Sequence, residues 1–364
     1  MRRFLLLLVT VALVAPVAAA TAKPASGARV AVGPGPKLAA VSVERFATKV
    51  FAKVPAPGFP AYVFVHRNKR VYAGTYAAVE AGTPSRVLEW SRTGTLLRSW
   101  AVPGQKAGSE HGIQVANQTR SGRLVVLDTT TSTVRTLDTR TGRWRTVAKL
   151  PGAVPNYATW GPGGALFVTD YAAGRIWKVD RSGRAKVWFS SPALEGAIGF
   201  GTTGIAFRKK ERDLLITQQT RLDGGGATPT QGFLYRLPMT LTGRPGAIET
   251  IWTSQPADLP DGFGIGRRTG HVYIAMAGLT NQIVEVDPRT GSEVARFPDA
   301  PFSGDNGSPI PFDTPCSATF LGTRILVANQ SAIAGDASHQ AILSVQVGEK
   351  GRRPFLPRRP FLGG

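Results

Sequence analysis

From residue 40 onward the apolar residues come in short runs split by Gly, Pro and polar turns, with no sustained 3.6-residue period. Runs rich in Val, Ile, Thr, Phe, Tyr and Trp, bounded this way, predict β-strands joined by tight turns. The runs recur in a frame. PNYATW (155–160), PDGFGI (260–265) and PCSATF (315–320) each place a Pro before a small or polar lead residue, with an apolar residue four places after the lead. HGIQV (111–115) and TGIAF (203–207) fit the frame without the proline, and FPAYVF (59–64) is a weaker copy. The lead positions are then Pro60, His111, Asn156, Thr203, Asp261 and Cys316, spaced 45 to 58 residues apart.

The segments downstream of each lead repeat as well. A turn (HRNKR, TRSGR, GPGG, RKKERD, RRTG, LGT) precedes a second strand such as LVVLDT, LFVTDY or VYIAMA. A third strand (RVLEW, VRTLD, RIWKVD, FLYRL, QIVEVD, AILSV) and, in most units, a short fourth come next. Four antiparallel strands in a unit of roughly 50 residues match a propeller blade, which buries its faces only against its neighbours. The predicted fold is all-β: a six-bladed β-propeller with four antiparallel strands per blade. The last unit lacks its own fourth strand, because RRPFLPRRPF is broken by prolines. The segment AVSVERFATKVF (40–51) is placed to supply it, so that an N-terminal strand closes the ring and removes the open sheet edges.

Composition adds the setting. Residues 1–22 hold a basic MRR, an apolar run and the cleavage site Ala20-Thr21-Ala22, which predicts a signal peptide. The apolar run is too short for a permanent transmembrane anchor, so the predicted location is secreted, extracytoplasmic. A flexible linker over 23–39, the propeller over 40–350 and a basic Pro/Arg tail over 351–364 complete the expected organisation. The single Cys316 rules out an internal disulfide, so stability rests on the core. The formal net charge is +21, which draws a protein to polyanions. The Lys and Arg are scattered through turns and strand ends without a nucleic-acid-binding signature, so the expected partners include no nucleic acid. No feature signals an oligomer, and the chain reads as a monomer. Three sequons, at Asn117, Asn306 and Asn329, matter only in a host that glycosylates exported proteins.

In a propeller the residue just before each innermost strand sits at one mouth of the central channel, so the leads are expected to converge. Asp and Asn offer the oxygens that Ca²⁺ prefers, and both are also ordinary turn residues. His111 reads as a general base, a neutral metal ligand or a loop cap. Cys316 reads as a small core residue rather than a thiol nucleophile. His339 is placed to overhang the mouth, while His66 and His271 read as hairpin residues. Asp258, Asp313 and Glu110 are acids close enough in sequence to lean over it, or to be solvated in loops. The seven Trp fall mostly at strand positions and read as packing.

The frame, with its P-N-x and P-D-G leads followed by LFVTD and VYIA strands, resembles the gluconolactonase/regucalcin-like (senescence marker protein) family of six-bladed propellers over roughly residues 45–350. The resemblance implies a divalent cation, usually Ca²⁺, held by a first-blade Glu, two Asn and an Asp, and hydrolysis of sugar lactones or phosphotriesters. Asn156 matches the first Asn and Asp261 the Asp, which the resemblance makes base or nucleophile. Thr203 stands at the second Asn, and Phe59-Pro60-Ala61 stand where the Glu belongs. The expected site is therefore Asp261 and His111 as catalytic residues, with Asn156, Thr203 and Asp261 around Ca²⁺, acting on a small lactone or ester. The missing Glu and the basic charge favour an alternative, a non-catalytic propeller binding an anionic cell-envelope polymer or a protein partner. A strictosidine-synthase-like, metal-free condensation is a third reading, which wants an acid in the channel.

Overall fold

A computed structural model of the chain describes residues 44–77, 82–105, 108, 111–221, 231–240 and 242–358. The expected signal peptide and linker, residues 40–43 of the expected closing strand, and Glu110 lie outside them. No helix among the described residues is long and apolar enough to cross a membrane.

The described chain is all-β, and every ladder is antiparallel. After β1 (Thr48–Lys53) come β2 (Phe59–Val65), β3 (Val71–Ala77), β4 (Arg86–Trp90) and β5 (Leu96–Ala101). The next meander is β6 (His111–Gln118), β7 (Leu124–Asp128), β8 (Thr133–Asp138) and β9 (Arg143–Lys149). It is followed by β10 (Pro155–Trp160), β11 (Leu166–Asp170), β12 (Arg175–Val179) and β13 (Ala185–Ser190). Then come β14 (Thr202–Arg208), β15 (Asp213–Gln218), β16 (Phe233–Pro238) and β17 (Glu249–Thr253). A further meander holds β18 (Pro260–Ile265), β19 (Val272–Met276), β20 (Ile283–Asp287) and β21 (Ser292–Phe297). The last strands are β22 (Pro315–Leu321), β23 (Arg324–Asn329) and β24 (Ala341–Gln346).

Among the described residues these strands make four four-stranded sheets and one of eight strands. The eight-stranded sheet is two meanders, β2–β5 and β6–β9, joined by two pairs, Tyr76–Gly112 and Ala77–His111. The last sheet runs β1–β24–β23–β22, so an N-terminal strand does take the outer place beside β24, from Thr48–Val345 to Lys53–Ala341. Burial grades outward. Second strands such as LVVLD, LFVTD and VYIAM are buried at every position, whereas the outer LLRSWA is exposed at all but one. The apolar clusters form between successive sheets: Val125 and Leu127 pack with Trp160, Val168 and Trp177.

First strands touch in a closed cycle, β2 to β6, β10, β14, β18, β22 and back to β2. They run alongside one another with like ends together. The Cys316 thiol faces the Pro60 carbonyl and the Thr203 hydroxyl donates to the Pro260 carbonyl at their starts. At their far ends the Trp160 indole donates to the Gln118 carbonyl. The starts define an entry face, and the opposite face carries the turns from first to second and from third to fourth strands.

Residues 351–358 of the expected tail lie against the sheets. Gly351 bridges Gly266, the Arg352 amide donates to the Ile265 carbonyl, and the Phe355 ring stands edge-on to Phe207. The sequon asparagines are buried and bonded internally: Asn117 to the Ala158 carbonyl, Asn306 to Ile310 and Asn329 to Pro311.

Candidate functional site at the entry face

Each first strand except β6 carries one extra residue near its start. The pairing steps from Pro155–Asp170 to Ala158–Val168, and likewise from Pro260–Met276 to Phe263–Ile274. The same slip occurs in β2, β14 and β22. Such a bulge frees residues from the ladder and re-aims their side chains. It holds Asn156 and Tyr157, Thr203 and Gly204, Asp261 and Gly262, and Cys316. In β2 it holds Ala61 and Tyr62, because Pro60 pairs with Thr75 just as Pro155 pairs with Asp170. The lead of the first meander is thus Ala61, not Pro60. The second meander departs too: His111 stays in a ladder with Ala77 and its strand bulges later, between Val115 and Asn117.

Two tyrosines share the frame position after the lead, Tyr62 and Tyr157. Their rings stack at 3.8 Å between centroids, and the Tyr62 hydroxyl goes on to donate to Asp261 Oδ1 at 3.3 Å. Three alternate meanders therefore meet through one ring. Gly262 makes room for it, since a Cβ there would lie 2.3 Å from the Tyr62 ring. The other carboxyl oxygen of Asp261 accepts from Gln219 Nε2 at 3.3 Å, and the Tyr171 hydroxyl donates to Gln219 Oε1. Tyr76, stacked on Phe59, accepts from Gln114.

Burial sets the electrostatics. Asp261 has 8% of its surface exposed, and burial pushes its carboxyl up to about 8 against the smaller opposing effect of hydrogen bonds from Tyr62 and the Gly262 amide. At neutral pH it is mostly a protonated acid. Burial raises the Tyr76 hydroxyl to about 12 and holds Tyr62, Tyr157 and Tyr171 well above their usual range, so all four stay hydrogen-bond donors. The Cys316 thiol, buried and 3.9 Å from the Pro60 carbonyl, is pushed up for the same reason; it is a packed core side chain.

Asn156 reaches the entry face with its Oδ1 buried and, among the described residues, unpartnered, as are Gln114 Oε1 and His111 Nε2. His111 is 1% exposed, with Nδ1 held 2.7 Å from Ser85 Oγ. Thr203 turns the other way: its hydroxyl meets the Pro260 carbonyl at 3.1 Å and Thr217 Oγ1 at 3.0 Å. Asp258 is clamped by Arg296 and Thr280. Asp313 accepts from Ser331 and pairs with His339. Neither acid turns its carboxylate to Asp261.

Asn156, Thr203 and Asp261 can be set against the needs of calcium, which takes six to eight oxygens and usually several carboxylates. The Asn156 oxygen is free to ligate. The set still falls short, because it holds one carboxyl, already bonded by Tyr62 and Gln219, and a Thr203 hydroxyl committed between strands. Among the described residues no group of three or more His, Cys, Asp or Glu is arranged to hold a metal.

The features that sequence reasoning missed are Tyr62, Tyr157, Gln219 and the glycine at 262. A signal for the tyrosines was present: aligning FPAY on PNYA by their prolines places Tyr62 and Tyr157 in one frame position.

No protein-family profile matches the chain, and no curated protein matches it. Solved structures do. The chain is similar to regucalcin from Agrobacterium tumefaciens, a calcium-binding protein, at 16% identity, covering 85% of this chain and 99% of that one, with a TM-score of 0.57. It is similar to a gluconolactonase from Xanthomonas campestris at 15% identity over 80% and 86% of the two chains, TM-score 0.55. Virginiamycin B lyase from Staphylococcus aureus matches at 16% identity over 80% and 82%, TM-score 0.52. At these identities the likeness is one of fold: the chain shares the propeller architecture of the gluconolactonase and regucalcin-like proteins.

Proposed function

We propose that the chain is a six-bladed propeller acting on a small lactone or ester at its entry face, with Asp261 as proton donor. The blade count takes the eight-stranded sheet as two blades, which the closed cycle of first strands supports. The observation that carries the chemistry is a single carboxyl buried between Tyr62 and Gln219 with its pKa pushed to about 8.

A carboxylic acid still protonated at neutral pH is suited to general acid catalysis. Water adds to the substrate carbonyl carbon and the carbonyl–alkoxy bond breaks. The Asp261 proton passes to the departing alkoxide oxygen, and His111 takes the proton of the attacking water at its unpartnered Nε2. Proton return from His111 to Asp261 through solvent completes the cycle. The Tyr76 and Tyr157 hydroxyls, held protonated and not donating to Asp261 or Gln219, orient the substrate oxygens. No step runs through a metal, because the donor set of Asn156, Thr203 and Asp261 does not make up a calcium shell. The segment over 1–22 supports export of the mature chain.

The test is a pH–rate profile on an aryl acetate and a δ-lactone. Turnover is expected to fall as pH rises through about 8, and Asp261→Asn to lose on the order of 10²–10⁴ in rate. Chelator is expected to leave the rate unchanged. A rate abolished by chelator and restored by calcium would instead support metal assistance at Asn156 and Asp261. Absence of turnover on both substrates would reject the hydrolase.

A further inference from the structure

The scatter of Lys and Arg through the sequence hides an order that the fold supplies. In an antiparallel meander the first and third strands run away from the entry face and the second and fourth return. Both the first-to-second and the third-to-fourth turns therefore fall on the face opposite Asp261. Among them are the basic segments HRNKR, TRSGR, DRSG, RKKERD, RRTG and DPRTG.

Contacts draw the inner turns together. His66 Nε2 lies 3.1 Å from the Gly122 carbonyl and the Arg67 amide donates to Gln118, joining the turns of the first two blades. The Arg267 amide donates to the Lys350 carbonyl, which brings the C-terminal strand-like segment, with its own Arg353, across the same face. Arg67, Lys69, Lys209, Lys210, Arg267 and Arg268 are all exposed there. Among the described residues none of these six has a carboxylate within ion-pair distance. Most acids on this face are already ion-paired: Glu211 with Arg352, Asp213 with Arg208, Asp287 with Arg289, Asp138 with Arg123 and Asp180 with Arg184, while Glu349 accepts from Thr269 and the Arg268 amide. Glu349 offsets part of the charge beside Arg268, and the rest of the field of the inner turns is not neutralised from within.

The exposed large apolar side chains lie elsewhere. Phe200, Leu279, Phe302 and Ile333 stand on entry-face loops, and Leu96, Leu97, Val187 and Val294 on outer strands. The inner turns of this face thus offer, among the described residues, neither an exposed large apolar side chain to enter a bilayer nor an exposed ring to stack on a base. What it offers is charge, much of it guanidinium, which matches phosphate oxygens two at a time.

We infer that the turn face is a docking surface for a linear polyanion without bases, a chain of phosphate groups being the best match. This is independent of the reading of the entry face. Docking through this face leaves Asp261 and its surroundings pointing away from the polymer.

The experiment measures binding of the mature chain to inorganic polyphosphate across salt concentrations, beside a Lys209→Glu, Lys210→Glu, Arg267→Glu, Arg268→Glu variant. With about four phosphates neutralised, wild-type affinity is expected to fall on the order of fiftyfold between roughly 50 and 200 mM salt. The variant is expected to bind at least tenfold more weakly, with a shallower salt slope and unchanged ester turnover. Should it fail to fold, the same four positions changed to Gln give the comparison. No binding by the wild type at low salt would overturn the inference, as would equal binding by the variant. Tighter binding to phosphatidylglycerol vesicles or to duplex DNA than to polyphosphate would overturn it as well.

Discussion

Asp261 carries the proposed acid chemistry, and its protonation bears on stability as well. Its carboxyl keeps its proton in the fold up to about pH 8, whereas an unfolded Asp loses it near 4. The native state therefore holds a proton that the unfolded chain has released. Its contribution is complete below about pH 4 and is lost as pH rises to about 8. Asp261→Asn should flatten that decline and melt higher than the wild type at pH 8; a steeper decline in the variant would contradict the assignment. Asp261 was legible in the sequence because an acid stood out among lead residues. Tyr62 was not, because its position depends on a ring reaching from the first meander to the third and fifth, which no local pattern records.

At the level of the strand, the recurring frame found the first strands and most of their neighbours, since a buried strand beside the axis must be apolar nearly throughout. The bulges escaped notice. A bulge changes the count on one strand by a single residue, which leaves the apolar pattern almost intact while turning a side chain through the sheet. For that reason Pro60 stood in for Ala61, and His111 was treated as equivalent to the other leads although its strand is laddered to β3. The bulge in β18 also explains why position 262 is glycine. A Cβ there would fall 2.3 Å from the Tyr62 ring and 2.7 Å from its hydroxyl, and the ring is backed by Tyr157 and cannot retreat. Gly262→Ala should lower stability by about 1–3 kcal/mol through overpacking. In a Tyr62→Ala background, which removes the obstructing ring, the same change should cost little; equal cost in both backgrounds would rule the clash out. Thermal melts of the four proteins read the coupling.

The whole molecule was legible in outline. Unit length and turn spacing pointed to a propeller, and the proline-broken tail pointed to a strand borrowed from the N-terminal side, which β1 supplies. Polarity of the faces was not legible, because residues some 50 positions apart in the chain become neighbours only when the ring closes. Nor was the path of 351–358, where Phe355 packs against Phe207 rather than trailing free. The pairing of β1 with β24 joins Thr48 to Val345, nearly the full length of the described chain. Such a contact carries the largest loop-closure entropy of any ladder in the fold and forms only after the intervening sheets have shortened the span. The order of events during folding should bear its mark. Pulsed hydrogen exchange on refolding protein should find the β24 amides that face β1 protected last, after those of β7 and β11; early protection of that edge would show the ends meeting first. The earlier strand must then wait, unpaired, for one made much later in the chain, so the ring is a clasp that fastens only once the sheets between them are in place.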